Sequence, residues 1–273
     1  MLPGFLGVGA QRAGTTWIAR NLAEHPDIYI PWEKELHFFD RHYENGIEYY
    51  ERQFADWSGQ HAVGEVTPAY LHEASAARRI HRHLPAAKLI VCLRNPVDRI
   101  YSSYWYSSAR SANGSPLPFE DWLRQHPDAI DVGCYYDHLK RYLELFSMEQ
   151  LLVLLFEDLR QKPEAFLRAV FLHLGVDPDF QSPIIQQQIN AAAAHKNLAR
   201  LKPIWYLRRA LGRAGMHRLA GRLERMNMRT LPPMRGETRE WLVEEYREEN
   251  ELLEQLLQWD LSAWSTLSSD SDG

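Results

Sequence analysis

GFLGVGAQRAGTTWIARNL, residues 4–22, reads as an apolar strand, a glycine turn and the start of a helix. Gly9 and Gly14 stand at the glycine positions of G-x-x-x-x-G-K-[ST], but Thr15 fills the lysine slot and Thr16 follows it. The nearest cation is Arg12, inside the turn. A turn of this shape presents backbone N–H groups and a helix N-terminus to an anion, and the two threonine hydroxyls add donors. What is missing is the lysine that reaches the β/γ-phosphates of a triphosphate. The turn therefore points to a nucleotide whose 5′ end is anionic without being an ordinary triphosphate. A glycine turn that only lets a helix lie close on a strand is the plainer alternative.

Working outward, short apolar runs alternate with helical patterns, which predicts a parallel sheet covered on both faces. Strands are expected over 4–10, 27–30, 62–66, 88–93 (KLIVCL) and 151–156 (LLVLLF). Helices are expected over 15–24, 47–54, 73–84, 96–109, 135–146 and 163–174, the last closed by Gly175 as a C-cap. Residues 35–39 suit either extended structure or a loop, and 113–118 (NGSPLP) a loop. Beyond Pro183 no strand signal remains, and 204–228 and 238–257 read as helices. The fold class is α/β: a P-loop-like parallel β-sheet flanked by helices, with a helical C-terminal extension. One domain is expected over 1–273, with an α/β nucleotide-binding core at 1–182 and the extension at 183–273.

Composition sets wide bounds. With 45% hydrophobic and 25% charged residues among 273, the chain is ordinary for a globular protein with a sizeable core. A net charge of −5 gives no global case for nucleic acid, although eleven Lys/Arg against the single acid Glu224 fall between Lys196 and Arg235. That segment suits either a solvated helical face or the reception of an anionic ligand. Two cysteines, Cys92 and Cys134, make no metal-type cluster, and inert thiols in a reduced compartment are expected. With no charged n-region before an apolar run and no long apolar stretch, the expectation is a cytoplasmic protein without a membrane span. The twelve histidines are scattered, so no metal site is expected.

Three other segments carry chemistry. In PWEKELHFFD, residues 31–40, Glu33, Glu35 and His37 alternate and share a side if the stretch is extended. A carboxylate there suits a general base, while a solvated surface loop is the plainer reading. In LRNPVDRIYSSYW, residues 93–105, Arg94 leaves the buried strand at its C-terminal edge and Ser102 lies two turns into the next helix. The pair suits a second phosphate of the same nucleotide, at a distance from the glycine turn; an Arg94–Asp98 ion pair is the alternative. In GEVTPAY, residues 64–70, Glu65 and Thr67 sit at another strand end, where a Thr-Pro turn is explanation enough.

Taken in order, GVGAQRAGTT, KELHFFD, GEVTPAY, LIVCLRNPVDRIYSSY and LLVLLFEDL resemble the matching motifs of sulfotransferases that use 3′-phosphoadenosine 5′-phosphosulfate (PAPS). The resemblance is to the branch that includes heparan sulfate O- and N-sulfotransferases and many bacterial members, and it covers nearly the whole chain. It implies that Gln11, Arg12, Ala13, Gly14, Thr15 and Thr16 hold the 5′-phosphosulfate, and that Arg94 and Ser102 bind the 3′-phosphate. Glu35 matches the general base, His37 a histidine that arranges acceptor and sulfuryl group, and Asp40 a residue orienting its neighbours. Lys196 matches a late basic loop over the nucleotide. Two departures stand out: Arg12 replaces the usual loop lysine, and Val66 stands where glycan-modifying members often carry lysine in E-K-T-P-A-Y.

The implied reaction is metal-independent transfer of a sulfuryl group to a hydroxyl of a small-molecule or carbohydrate acceptor, leaving 3′,5′-adenosine diphosphate. Glu35 accepts the hydroxyl proton, and Arg12 and His37 stabilise charge. A kinase or phosphotransferase on the same loop predicts magnesium and ATP instead, and a non-catalytic nucleotide-binding module predicts donor binding without transfer. The aromatic stretches 43–56 and 104–122 suit an acceptor surface and a structural core equally.

Overall fold

A computed structural model describes residues 1–33, 35–110, 117–186 and 234–266. Five parallel strands form one sheet in the order β2-β3-β1-β4-β5: β1 (Phe5–Gly9), β2 (Ile28–Tyr29), β3 (Ala62–Val66), β4 (Lys88–Leu93) and β5 (Leu151–Leu155). Their register pairs Phe5 with Gly64 on one side and with Lys88 on the other, and Leu89 with Leu151. β1, β3 and β4 are buried almost throughout, which is why their sequences are apolar without alternation. All the strands end on the same edge. The chain leaves β1 toward β3 and β4 toward β5, so the order reverses between β1 and β4, where a ligand crevice is expected in such sheets.

Eleven helices are named among the described residues: α1 (Thr15–Ala23), α2 (Ile47–Arg52), α3 (Ala76–His83), α4 (Pro96–Arg110), α5 (Phe119–Gln125), α6 (Asp128–Asp131), α7 (Tyr135–Leu143), α8 (Phe156–Gln161), α9 (Pro163–Leu174), α10 (Gly236–Glu245) and α11 (Arg247–Leu257). Gly175 takes φ 79° and ψ 30° at the end of α9, the left-handed C-cap the sequence predicts. The expected helix 238–257 divides at Tyr246, and the expected strand 151–156 gives up Phe156 to α8. The predicted helix 204–228 and the basic segment around Lys196 lie outside the described residues.

The main core joins the sheet to α1, α3, α7 and α9. A second cluster gathers Val97, Ile100, Tyr104, Phe119, Trp122, Leu123, Leu242 and Tyr246, seating α10 against α4 and α5. That seat is also polar. Asp98 pairs with Arg239 of α10, and the Asn95 side chain caps the Val97 N–H while donating to the Trp264 carbonyl. The start of α4, which carries Arg94 and Ser102 with it, is therefore held from the C-terminal side of the chain.

Candidate active site

The turn after β1 is built around left-handed residues. Arg12 has φ 68° and Gly14 φ 82°, and Gly14 is the N-cap of α1 with no side-chain cap on the helix end. An uncapped N-terminus keeps its positive end for an anion. A Cβ on Gly14 would lie 2.9 Å from Leu159 Cδ1 and 3.1 Å from the Phe156 ring, so α8 closes the underside of the turn. Thr15 is buried, and Gln11 and Thr16 are half-buried.

Arg12, Ser102 and Arg94 meet in one cluster. Arg12 Nε donates to Ser102 Oγ at 3.2 Å, and Arg94 Nη1 donates to the Arg12 carbonyl at 3.1 Å. The Arg12 guanidinium lies over the Tyr106 ring (4.6 Å), and that of Arg94 over Phe156 (4.8 Å). Arg94 and Ser102 thus adjoin the glycine turn rather than standing at a distance from it, because α4 begins directly after β4, the neighbour of β1. The alternative pairing of Arg94 with Asp98 is not what forms, since Asp98 bonds Arg239. Burial, then the charge of Arg94, brings the Arg12 pKa down to about 10. Burial also lowers that of Arg94, while Asp98 and Glu157 pull it back up. Two crowded guanidinium groups gain from an anion between them.

The second half of the site is the turn after residue 34. Glu35 and His37 come together, Oε2 to Nε2 at 3.6 Å, and His37 Nδ1 bonds Asp40 Oδ2 at 2.7 Å. The route differs from the expected strand alternation. The stretch is a loop in which Glu35 (φ 66°) and His37 (φ 51°) are left-handed, and that conformation turns both side chains to one place. Glu33 is exposed. The Glu35 carboxylate raises the pKa of Arg12, so it sits close enough for its charge to be felt at the loop cation. A carboxylate, an imidazole backed by a second carboxylate, and a pair of guanidinium groups at a helix N-terminus can accept a proton on one side and hold an anionic leaving group on the other.

Lys196 lies outside the described residues, so its predicted role stays with the sequence. Val66 is buried on β3 and packs against Gly7. The aromatic stretches divide: Tyr50, Phe54, Tyr104, Phe119 and Trp122 are core, whereas Tyr106 is exposed. Cys92 and Cys134 are free thiols, the first pushed well up and the second to about 12, both mainly by burial. Among the described residues no group of three or more metal-ligating side chains occurs. No described helix is long and apolar enough to cross a membrane.

Comparison with known proteins agrees with this geometry. The family model for the sulfotransferase domain matches residues 3–216. Heparan sulfate glucosamine 3-O-sulfotransferase 6 of Homo sapiens is 33% identical over 181 residues, covering 64% of this chain and 52% of the relative. Bifunctional heparan sulfate N-deacetylase/N-sulfotransferase 4 of Mus musculus is 31% identical over 278 residues, covering 94% of this chain and 30% of the relative. The chain thus spans about half the length of the first curated relative and less than a third of the second. A solved sulfotransferase from Alicyclobacillus acidocaldarius superposes with a TM-score of 0.72 at 28% identity, over 97% of this chain and all of that one. An uncapped helix end beside two guanidinium groups, a carboxylate within electrostatic reach of them and a family match over residues 3–216 lead to one conclusion: the chain belongs to the sulfotransferase domain family.

Proposed function

We propose that the protein transfers a sulfuryl group from PAPS to a hydroxyl of a carbohydrate or small-molecule acceptor. The observation that carries this reading is the Arg12–Ser102–Arg94 cluster at the uncapped end of α1, within electrostatic reach of Glu35. PAPS supplies an activated sulfuryl group on a good leaving group, and the chain's own residues do the rest. Glu35 takes the acceptor's O–H proton as the new O–S bond forms. The bond from sulfur to the bridging oxygen of the 5′-phosphate breaks, and 3′,5′-adenosine diphosphate keeps that electron pair. Arg12 and the N–H groups of the turn stabilise the charge on that oxygen. His37, held by Asp40, bonds the sulfuryl or acceptor oxygens, and Arg94 and Ser102 hold the 3′-phosphate.

Heparan sulfate named in the relatives supports a carbohydrate acceptor, and one relative is an O- and the other an N-sulfotransferase. The hydroxyl is favoured here because a carboxylate base stands at the site. The burial of Val66 leaves that position without a cation for a highly anionic glycan, which favours an acceptor of lower charge. The reading is tested by incubating the protein with sulfur-labelled PAPS and pools of desulfated glycans and of small alcohols and phenols, then identifying the labelled product. Glu35→Gln should keep the affinity for 3′,5′-adenosine diphosphate within about twofold while lowering turnover by ~10²–10⁴-fold. Near-normal turnover in that variant rules out Glu35 as the base. Binding of ATP with magnesium in preference to the 3′,5′-diphosphate would favour a kinase.

A further inference from the structure

Glu65 is a buried carboxylate outside the nucleotide cluster. It lies near the C-terminal end of β3, 1% exposed, and receives four donors: the hydroxyls of Thr67 (2.6 Å), Tyr70 (2.8 Å) and Tyr50 (3.1 Å) and the backbone N–H of Leu36. Burial pushes its pKa up, and those same hydrogen bonds pull it back down. Four donors suit the ionised form, whose two oxygens only accept. Among the described residues no Lys or Arg forms an ion pair with it.

Two of the three hydroxyls are themselves acceptors. Thr67 Oγ1 accepts the His37 N–H at 3.4 Å, and the Tyr70 hydroxyl accepts the N–H groups of Phe38 at 2.9 Å and Phe39 at 3.4 Å. Four consecutive backbone N–H groups, 36 to 39, therefore end on this carboxylate directly or through one hydroxyl. A hydroxyl whose proton is committed to an anion can only accept from its other neighbours, so one negative charge sets the direction of every bond in the set. The segment so held includes the left-handed His37 and directly follows the left-handed Glu35, a conformation that costs an L-residue relative to glycine.

We propose that Glu65 is the positioning residue of the proton-accepting pair: through Thr67 and Tyr70 it holds residues 36–39 in the conformation that brings Glu35 and His37 together. This rests on the reading of Glu35 as the base. Tyr50 provides an internal control. Its hydroxyl is as deeply buried and donates to the same Glu65 oxygen as Tyr70, yet it accepts no N–H of the 36–39 segment.

The test compares Tyr70→Phe with Tyr50→Phe in the full chain, with Glu65→Gln beside them. The readouts are amide hydrogen exchange in the peptide spanning 36–39, calorimetric binding of 3′,5′-adenosine diphosphate, and turnover of PAPS with an acceptor labelled in the screen above. Tyr70→Phe should speed exchange at 36–39 at least about tenfold and lower kcat ~10–100-fold, with Kd for the diphosphate within about twofold. Tyr50→Phe should change each by less than about threefold, and Glu65→Gln should match or exceed Tyr70→Phe. Equal effects of the two tyrosine variants, or unchanged exchange and kcat in Tyr70→Phe, would overturn the proposal. Should Glu65→Gln not fold, the tyrosine pair decides alone. Normal turnover in Glu35→Gln together with the unequal tyrosine result would remove the base and leave the backbone device in place.

Discussion

Replacing Gly14 by alanine strikes the turn at its most constrained point, and its cost can be worked from two contributions. At φ 82° and ψ 5° the residue is left-handed, which costs an L-residue about 1–2 kcal/mol. The added methyl would stand 2.9 Å from Leu159 Cδ1 and 3.1 and 3.2 Å from two Phe156 ring carbons, and forced repacking of that kind costs about 1–3 kcal/mol. Together the loss is about 2–5 kcal/mol. Gly175 separates the two contributions, because it is equally left-handed (φ 79°, ψ 30°) while its added methyl would meet nothing nearer than 3.6 Å. Gly175→Ala should lose only the backbone share, about 1–2 kcal/mol. Urea unfolding of both variants measures the difference, and calorimetry with 3′,5′-adenosine diphosphate reads the site. Gly14→Ala should be the less stable by about 1–3 kcal/mol and bind at least ~10-fold more weakly, whereas Gly175→Ala should bind as the parent does. Equal stability in the two variants, or unchanged nucleotide affinity in Gly14→Ala, would refute the placement of α8 beneath the turn.

Other expectations follow from the same geometry. Arg12→Ala should lower kcat ~10²–10³-fold by removing the cation at the leaving oxygen, and Arg12→Lys should recover part of it; steady-state kinetics with PAPS tests this, and an unaffected kcat would exclude Arg12 from the chemistry. His138 is buried, donates from Nε2 to the Asp131 carbonyl and accepts from Arg141 at Nδ1, and burial followed by the charges of Arg141 and His72 brings its pKa down to about 3. Its folded value lies below the ordinary 6.5, so between those two values the unfolded chain binds a proton that the folded chain does not. Stability contributed by this residue is therefore present above 6.5 and lost as pH falls, at up to ~1.4 kcal/mol per pH unit. Urea unfolding across that range should show a shallower fall in His138→Gln; an identical slope would remove His138 as the cause.

The sheet and the glycine turn after β1 were legible because they rest on local signals. Short uninterrupted apolar runs such as KLIVCL suit buried strands by their length and β-branched content, and Gly9 to Thr16 writes its own turn chemistry. Arg94, Ser102, Glu35 and His37 could be singled out as candidates because each lies on a segment that follows a strand, toward the ligand edge of a parallel sheet. What could not be read was how those ends meet. The left-handed conformers at Glu35 and His37 depend on hydroxyls 30 or more positions away, and no periodicity marks them. Glu65 looked like part of a Thr-Pro turn because its four partners are spread from Leu36 to Tyr70. Phe156 was read as the end of a strand because its apolar character suits either element, and only the packing on Gly14 places it in α8. The aromatic stretches were ambiguous for the same reason: burial, not composition, separates the core Tyr104 from the exposed Tyr106.

The most direct measurement is calorimetric titration of the full chain without magnesium, comparing 3′,5′-adenosine diphosphate with 5′-adenosine monophosphate, in the parent and in Arg94→Ala. The account predicts that the 3′-phosphate tightens binding at least ~10-fold in the parent and that Arg94→Ala removes most of that difference. Equal affinity for the two nucleotides in the parent, or no heat with either until ATP and magnesium are supplied, would contradict it.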